Sequence, residues 1–238
     1  MFGFIGHVHD DYDSFKKLLN CYKQHECKVL FLFGNIDESI LEKVGKDLRD
    51  FSMQSLQEKV YLCLNGNDSV QKYNSVQEAF ANTAGIDTYY YTTHTQNVMI
   101  FHGTSDKNAL TKIKDDEEIS KSFEGQNIIS KDSSKRTYKP VIDMLVTNEP
   151  VYGLPKKLEG NLGLNQILQH ITSPLLIAVP HQSIVIKPFK TRYIDDLEHT
   201  YIGIPPVSKE FAILGKILIG SKDAKYELIT KPIKSLGN

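Results

Sequence analysis

The sequence has few of the features that mark secreted or membrane proteins. It contains three cysteines in 238 residues, an odd number that excludes a framework of paired disulfides and predicts reduced thiols. No apolar run approaches the roughly 20 residues that span a bilayer. Met1 leads directly into the strand-like run Phe2–Ile5, so we expect no leader peptide. These absences predict a soluble intracellular protein, cytoplasmic by default, with no membrane insertion.

An excess of one charge is also missing. The chain has 28 Lys and Arg against 29 Asp and Glu, a formal net charge of −1, and the two signs are interspersed. A protein that binds duplex nucleic acid usually carries clustered positive charge. The composition therefore gives no clear indication of nucleic-acid binding.

One small group of potential metal ligands lies early in the chain. A helix would place Cys21 and His25 on one face, with Cys27 close by, as in part of a zinc site. No fourth ligand follows nearby in the sequence. We therefore interpret these cysteines as small buried hydrophobes.

What the sequence does contain is an alternation of strand and helix patterns. Apolar runs at 2–5, 28–33 and 60–64 predict buried strands. The stretches between them carry apolar residues at spacings of three and four, which predict amphipathic helices, the first with Asp13 as its N-cap. This βαβαβ order requires a parallel sheet with right-handed crossovers, and ligands bind at the carboxyl ends of such strands.

The middle of the chain departs from this alternation. Residues 88–92 and 98–101 resemble a pair of neighbouring strands. From about 104–139 the chain is polar and nearly balanced in charge, so we interpret it as a surface insertion. A length of 238 residues suits one domain, and we treat 1–238 as a single domain with this insertion.

Core patterns resume after the insertion. A strand ending near Thr147, a helix at 164–171 and a strand at 175–179 are predicted. The last strand-like runs are predicted to be antiparallel and to form a second sheet, and they occupy 183–186, 200–204 and 211–219.

Five of the apolar runs end in turns that bear Gly, His or Asn. In chain order the turns are Gly6-His7-Val8-His9, Phe33-Gly34-Asn35-Ile36-Asp37, Asn65-Gly66-Asn67-Asp68, Thr147-Asn148-Glu149-Pro150-Val151-Tyr152-Gly153 and Val179-Pro180-His181-Gln182-Ser183. Their order resembles the five motifs of the calcineurin-like metallophosphoesterase superfamily, from Phe4 to about Leu218. The resemblance implies an α/β fold, a four-layered α/β/β/α sandwich, with two metal ions above the strand ends.

Some positions match the motifs of that family. His9 matches the His of its first motif, Asn67 the Asn of its third motif and His181 the first His of its last motif. Asp68 stands where the family has the His that protonates the leaving group. If the protein were active, Asp68 would be the candidate proton donor.

The other four ligand positions differ from the family. His7 stands in place of an Asp, Asn35 in place of the metal-bridging Asp, Asn148 in place of a His and Ser183 in place of the final His. A bridging carboxylate offsets the repulsion between two divalent ions and brings both to one nucleophilic water. Because Asn35 carries no charge, the resemblance implies a degenerate site without a tight dinuclear centre.

A single ion is the alternative that this donor set leaves open. His7, His9 and His181 would supply three imidazoles of the kind that bind zinc, with Asp10 or Asp37 nearby. We expect no bound cofactor, and the alternative is one divalent ion, zinc or manganese.

Three functions follow from this degenerate frame. The first is a catalytically inactive member of the fold that acts as a structural or interaction subunit, with protein partners in a multi-subunit complex. Ligand loss of this kind is found in the retromer subunit and in the small subunits of replicative DNA polymerases, which is an analogy of fold. The second is a divergent phosphoesterase with one metal or rearranged ligands, and the third is a binder of a phosphorylated ligand.

The parallel-sheet rule also predicts which strand ends meet. We expect the strands that end at Gly6, Gly34, Gly66 and Thr147 to lie in one largely parallel sheet. The side chains predicted to converge on one edge are His7, Asn35, Asn67, Asn148 and His181.

Overall fold

The computed structural model places two β-sheets face to face, with helices on the outer face of the first sheet. It describes residues 1–54, 58–64, 70–81, 88–92, 97–101, 144–150, 176–189, 199–218 and 225–233. The predicted insertion at about 104–139 and the helix expected at 164–171, which would belong to the second helical layer, lie outside the described residues. No helix in the described part is long and apolar enough to cross a membrane.

The first part of the chain has the predicted alternation. The elements in order are β1 (Phe2–Ile5), α1 (Tyr12–Gln24), β2 (Val29–Phe33), α2 (Glu38–Ser52), β3 (Lys59–Cys63) and a 3₁₀ segment at Val70–Ala79. Apart from the half-buried first residues of β2 and β3, every residue of the three strands is buried. Burial on both faces explains why their sequences are continuous apolar runs.

Helix α1 begins two residues earlier than the sequence suggested. Its N-cap is Asp11, whose carboxylate accepts a hydrogen bond of 3.1 Å from the backbone N–H of Ser14. Asp13 as N-cap was therefore wrong. Asp13 instead lies in the first turn, where its negative charge interacts favourably with the positive end of the helix dipole.

The remaining elements are β4 to β11, with one short 3₁₀ turn. Their bounds are β4 (Thr88–Thr92), β5 (Asn97–Phe101), β6 (Met144–Thr147), β7 (Leu176–Pro180), β8 (Val185–Phe189), β9 (His199–Ile204), the turn Val207–Lys209, β10 (Phe211–Leu218) and β11 (Lys225–Pro232). The predicted neighbours β4 and β5 pair antiparallel, as do β8 and β9. Both predictions are confirmed.

The first sheet has the strand order β11-β10-β1-β2-β3. Strands β1, β2 and β3 are parallel, and β10 pairs antiparallel with β1. The expectation that β10 lies in the second sheet was wrong. Ala212 and Leu214 of β10 face the helices while Ile213 faces the second sheet, and a strand that buries both faces fits an interior position beside β1.

The second sheet has the order β4-β5-β6-β7-β9-β8. Its four central strands are parallel, and the two outer strands run antiparallel to them. Strand β6, which ends at Thr147, belongs to this sheet, so the prediction that it joins the strands ending at Gly6 and Gly34 in one sheet was wrong. Facing sheets can still bring their strand ends together, and the contacts of the next residue, Asn148, show that they do.

Among the described residues, two apolar cores hold these layers. One lies between the helices and the first sheet, and includes Phe15, Leu32 and Val44. The other lies between the sheets, where Phe31 stacks on Phe4 and on Tyr61 with ring centroids 5.6 and 5.8 Å apart. Burial of this kind contributes about 25 cal/mol per Å² of apolar surface and holds the two sheets against each other.

Candidate functional site

The family ligand positions lie in turns that follow the carboxyl ends of the strands. His7 and His9 follow β1, Asn35 follows β2, Asn148 follows β6 and His181 follows β7. Asn67 and Asp68 lie outside the described residues. These side chains, from both sheets, lie at one edge of the molecule, where the strands have their carboxyl ends. We call it the carboxyl edge.

Asn148 connects the two sheets at the carboxyl edge. Its Oδ1 is 3.3 Å from His7 Nε2, and its Nδ2 donates a hydrogen bond of 2.9 Å to the carbonyl oxygen of Cys63, the last residue of β3. Asn148 is only 7% exposed. A buried carboxamide needs partners for both its donor and its acceptor groups, and His7 and Cys63 supply them.

These contacts require a hydrogen on Nε2 of the His7 ring. The Cys63 carbonyl accepts a hydrogen bond and cannot donate one, so the amide nitrogen of Asn148 must face it and the amide oxygen must face His7. That oxygen is an acceptor, so His7 must donate from Nε2–H. A protonated Nε2 has no free lone pair for a metal ion.

The thiol of Cys63 belongs to the same group of contacts. Burial raises the pKa of this thiol, and a hydrogen bond from the backbone N–H of Asn148 offsets part of the rise. The Cys63 carbonyl also accepts a hydrogen bond of 3.0 Å from the backbone N–H of Gly34. The end of β3 therefore contacts both β2 and the residue after β6.

His9 and Asn35 keep an unusual backbone conformation in neighbouring turns. Their φ angles are 51° and 60°, in the left-handed region that favours glycine. The backbone N–H of His9 donates to the Asn35 carbonyl at 2.7 Å, and that of Asp37 donates to the His9 carbonyl at 2.9 Å. These bonds hold the turns together and place the His7 and His9 rings nearly perpendicular, with centroids 5.8 Å apart.

His181 lies at the same edge through its contacts with the end of β9. Its backbone N–H donates to the Ile204 carbonyl at 2.7 Å. The next residue, Pro205, packs so tightly on Gly6 that a Cβ added there would overlap the Pro205 carbonyl oxygen. Ile204 contacts His181, and the adjacent Pro205 contacts Gly6 at the end of β1. The turn after β7 and the turn after β1 therefore both lie at the carboxyl edge.

The side chain of His181 makes local contacts. Its Nδ1 lies 3.0 Å from the Ser183 carbonyl oxygen and 3.2 Å from the Ser183 backbone nitrogen. Ser183 Oγ is 3.5 Å from the same ring nitrogen, and Ser183 is exposed. Gly203 leaves room for this turn, because a Cβ there would lie 2.8 Å from the Cβ of His181.

Two parts of the site carried no signal in the sequence. The Cys63 carbonyl is a backbone group, so its role depends on position and not on residue type. The segment after β9 also supports the edge, since Val207 donates its backbone N–H to the His7 carbonyl at 3.1 Å. The Pro205-Pro206 pair marks a turn in the sequence, but nothing in it indicates this contact.

The described residues do not fit the two-metal centre of the family. The described ligand positions at the carboxyl edge hold His, Asn and Ser side chains, which supply no negative charge, and the Nε2 of His7 is committed to Asn148. Asp10 and Asp37 follow the same strand ends but are exposed. Within the described ranges, no three His, Cys, Asp or Glu side chains are grouped so as to hold a metal ion.

The cysteines near α1 are buried in the core. Burial raises the pKa of Cys21 and raises that of Cys27 to about 12, so both remain thiols at neutral pH. His25 Nε2 lies 3.2 Å from Lys231 Nζ. An ammonium group beside this ring nitrogen opposes the approach of a cation, which agrees with the interpretation of the cysteines as buried hydrophobes.

Comparison with solved structures supports the architecture. Protein TT1561 of Thermus thermophilus superposes with a TM-score of 0.57 at 9% identity, over 98% of each chain. A second solved chain superposes with a TM-score of 0.56 at 11% identity, again over 98% of each chain. The superposition on Yfce, a phosphoesterase from E. coli, covers 95% of this chain and 86% of the Yfce chain at 11% identity. Its TM-score of 0.39 is too low to indicate a shared fold.

Sequence comparison adds no relatives. No family model matches the chain, and no curated protein matches it. Identities near 10% indicate a shared fold and say nothing about activity. The fold-class prediction is confirmed: the chain has the α/β fold with two packed sheets that its resemblance to the metallophosphoesterases implied.

Proposed function

We propose that this protein is a catalytically inactive member of the metallophosphoesterase fold that acts as a structural or interaction subunit of a larger assembly. The observation that carries the proposal is the hydrogen bond between His7 and Asn148. Two positions that would bind metal ions in an active member of the family here bind each other.

The electrostatics of hydrolysis support this proposal. Two divalent ions 4 Å apart repel by roughly 17 kcal/mol at an effective dielectric constant of 20, and active enzymes of this type offset that repulsion with carboxylates. His7 and Asn35, which stand in place of the two Asp ligands of the family, cannot supply the missing negative charge. Without two metal ions there is no bridging water to act as nucleophile.

The test is hydrolysis of generic phosphate esters by the purified full chain with added Mn²⁺, Co²⁺ or Zn²⁺. We expect no turnover above that of a His9→Ala variant, and fewer than two equivalents of metal in the protein by elemental analysis. The side chain of His9 is exposed, so this variant should fold normally. The matched control is His25→Ala, which removes an imidazole away from the carboxyl edge.

The opposite result would favour the divergent phosphoesterase. Metal-dependent turnover that is lost in His9→Ala and kept in His25→Ala would contradict the inactive assignment. Two bound equivalents of manganese, iron or zinc would contradict it as well. The interaction role has a separate test, described in the Discussion, so catalytic inactivity and partner binding can fail independently.

A further inference from the structure

Asn148 is the point at which a buried side chain of the second sheet contacts two strand ends of the first. Oδ1 meets His7 after β1, while Nδ2 and the backbone N–H both meet Cys63 at the end of β3. Apolar packing is not directional, so the cores alone leave the relative position of the two edges loosely specified. Hydrogen bonds are directional, and a buried one is costly to lose.

We propose that Asn148 is an inter-sheet clamp, which holds the carboxyl edges of the two sheets together through His7 and Cys63 and makes this edge independent of a bound metal ion. In the two-metal frame, side chains from both sheets are joined by binding the same ions. Here the same strand ends are joined by direct hydrogen bonds. The inference does not rest on the proposed interaction role, because it concerns how the edge is held and not what the protein binds.

The arrangement around the Cys63 carbonyl supports a structural role for the clamp. This oxygen accepts from Asn148 Nδ2 at 2.9 Å and from the Gly34 backbone N–H at 3.0 Å. It therefore joins β2, β3 and the turn after β6 at one atom. Truncating Asn148 would leave this carbonyl with one donor fewer and would leave the His7 N–H without its acceptor, both in a partly or fully buried setting.

A double-mutant cycle tests the clamp by urea unfolding of the full chain. We expect Asn148→Ala to lower the folding equilibrium constant roughly tenfold or more. In a His7→Ala background the same change should cost clearly less, because one of its partners is already absent. Asn20→Ala, which removes an exposed carboxamide from α1, should leave the constant near the wild-type value. Costs that simply add in the double mutant would overturn the proposal.

The Asn148→Asp variant tests the hydrogen-bond donor of Asn148 separately from its acceptor. It keeps the size and the oxygen that faces His7 but turns the group facing the Cys63 carbonyl into a second acceptor. We expect a loss at least as large as that of Asn148→Ala at pH 8. A stability equal to wild type would contradict the bond to Cys63.

Two measurements do not depend on whether the Asn148 variants fold. Long-range ¹H–¹⁵N correlation spectra of the wild-type protein at pH 8 should show His7 protonated at Nε2, and a bare Nε2 would overturn the proposal. Thermal unfolding with and without Mn²⁺ or Zn²⁺ should give no increase in Tm that depends on His7. A metal-induced rise in Tm that disappears in His7→Ala would show that the edge binds metal and that the clamp is wrong.

Discussion

Two residues at the carboxyl edge hold a backbone conformation that is unusual for their residue types. His9 and Asn35 have positive φ, a conformation that costs an L-residue about 1–2 kcal/mol. Asn tolerates this region better than most residues because its short side chain can bond locally. His is also found in this region more often than most residues, and the backbone hydrogen bonds of His9 to Asn35 and Asp37 hold its turn in place.

This strain gives a prediction at His9. His9→Gly should be more stable than His9→Ala by about 1 kcal/mol, because glycine reaches positive φ without strain and the lower backbone entropy of the unfolded alanine variant offsets only part of that gain. The free energies of unfolding of the two variants in urea measure the difference. If His9→Ala is the more stable of the two, the turn does not have the left-handed conformation.

Among the secondary-structure elements, α1 places the first ligand turn against the helix layer. Its N-cap is set by Asp11, whose side chain accepts from Ser14. Tyr12 then contacts α2, donating its hydroxyl to Asp47 at 2.8 Å. The start of α1 therefore fixes the turn that carries His7 and His9 relative to both helices.

The position of the N-cap is testable with two neighbouring acids. Asp11→Ala should lower the free energy of unfolding by about 1 kcal/mol, because it removes an N-cap acceptor. Asp13→Ala should cost only a few tenths of a kcal/mol, since Asp13 contributes through the helix dipole at an exposed position. Urea unfolding of both variants compares them. A larger cost for Asp13→Ala would support the N-cap predicted from the sequence.

For the molecule as a whole, the fold brings the ends of two sheets together, and the proposed interaction role requires a surface that binds a partner. The described part of the chain offers no enclosed metal cluster. The sequence instead points to about 104–139, which lies outside the described residues. It is too polar to supply a core, yet it contains scattered apolar residues, a composition suited to ordering against another surface. These residues include Ile113, Ile119, Phe123, Ile128 and Ile129.

We predict that this insertion forms part of the protein-binding face. Limited trypsin proteolysis of the isolated protein should cut first between Lys112 and Lys139, and an excess of the partner, identified by native purification and mass spectrometry, should suppress those cuts. The control is the rate of cutting elsewhere in the chain, which the partner should leave unchanged. Equal protection in the isolated protein, or unchanged partner binding after deletion of 104–139, would contradict the assignment.

The sequence by itself determined the parts of the fold that depend on local pattern. Strands β1, β2 and β3 and helices α1 and α2 follow from hydrophobic periodicity, because a helix or a buried strand needs apolar residues at fixed spacings along the chain. The motif order likewise predicted that the turns after β1, β2, β6 and β7 would meet at one edge, and their contacts join them there. The N-cap of α1 was misassigned because two acids so close together both suit the start of a helix.

Only the tertiary structure decided which strands share a sheet and which side chains meet. Strands β6 and β10 were assigned to the wrong sheets, since pairing depends on partners far away in the sequence. The contact between His7 and Asn148 joins residues 141 positions apart. The group of Cys63 that accepts a hydrogen bond from Asn148 is its backbone carbonyl, which every residue possesses. Such contacts exist only once both sheets have packed, because the free energy that forms them comes from burial of the whole core and not from the residues they join.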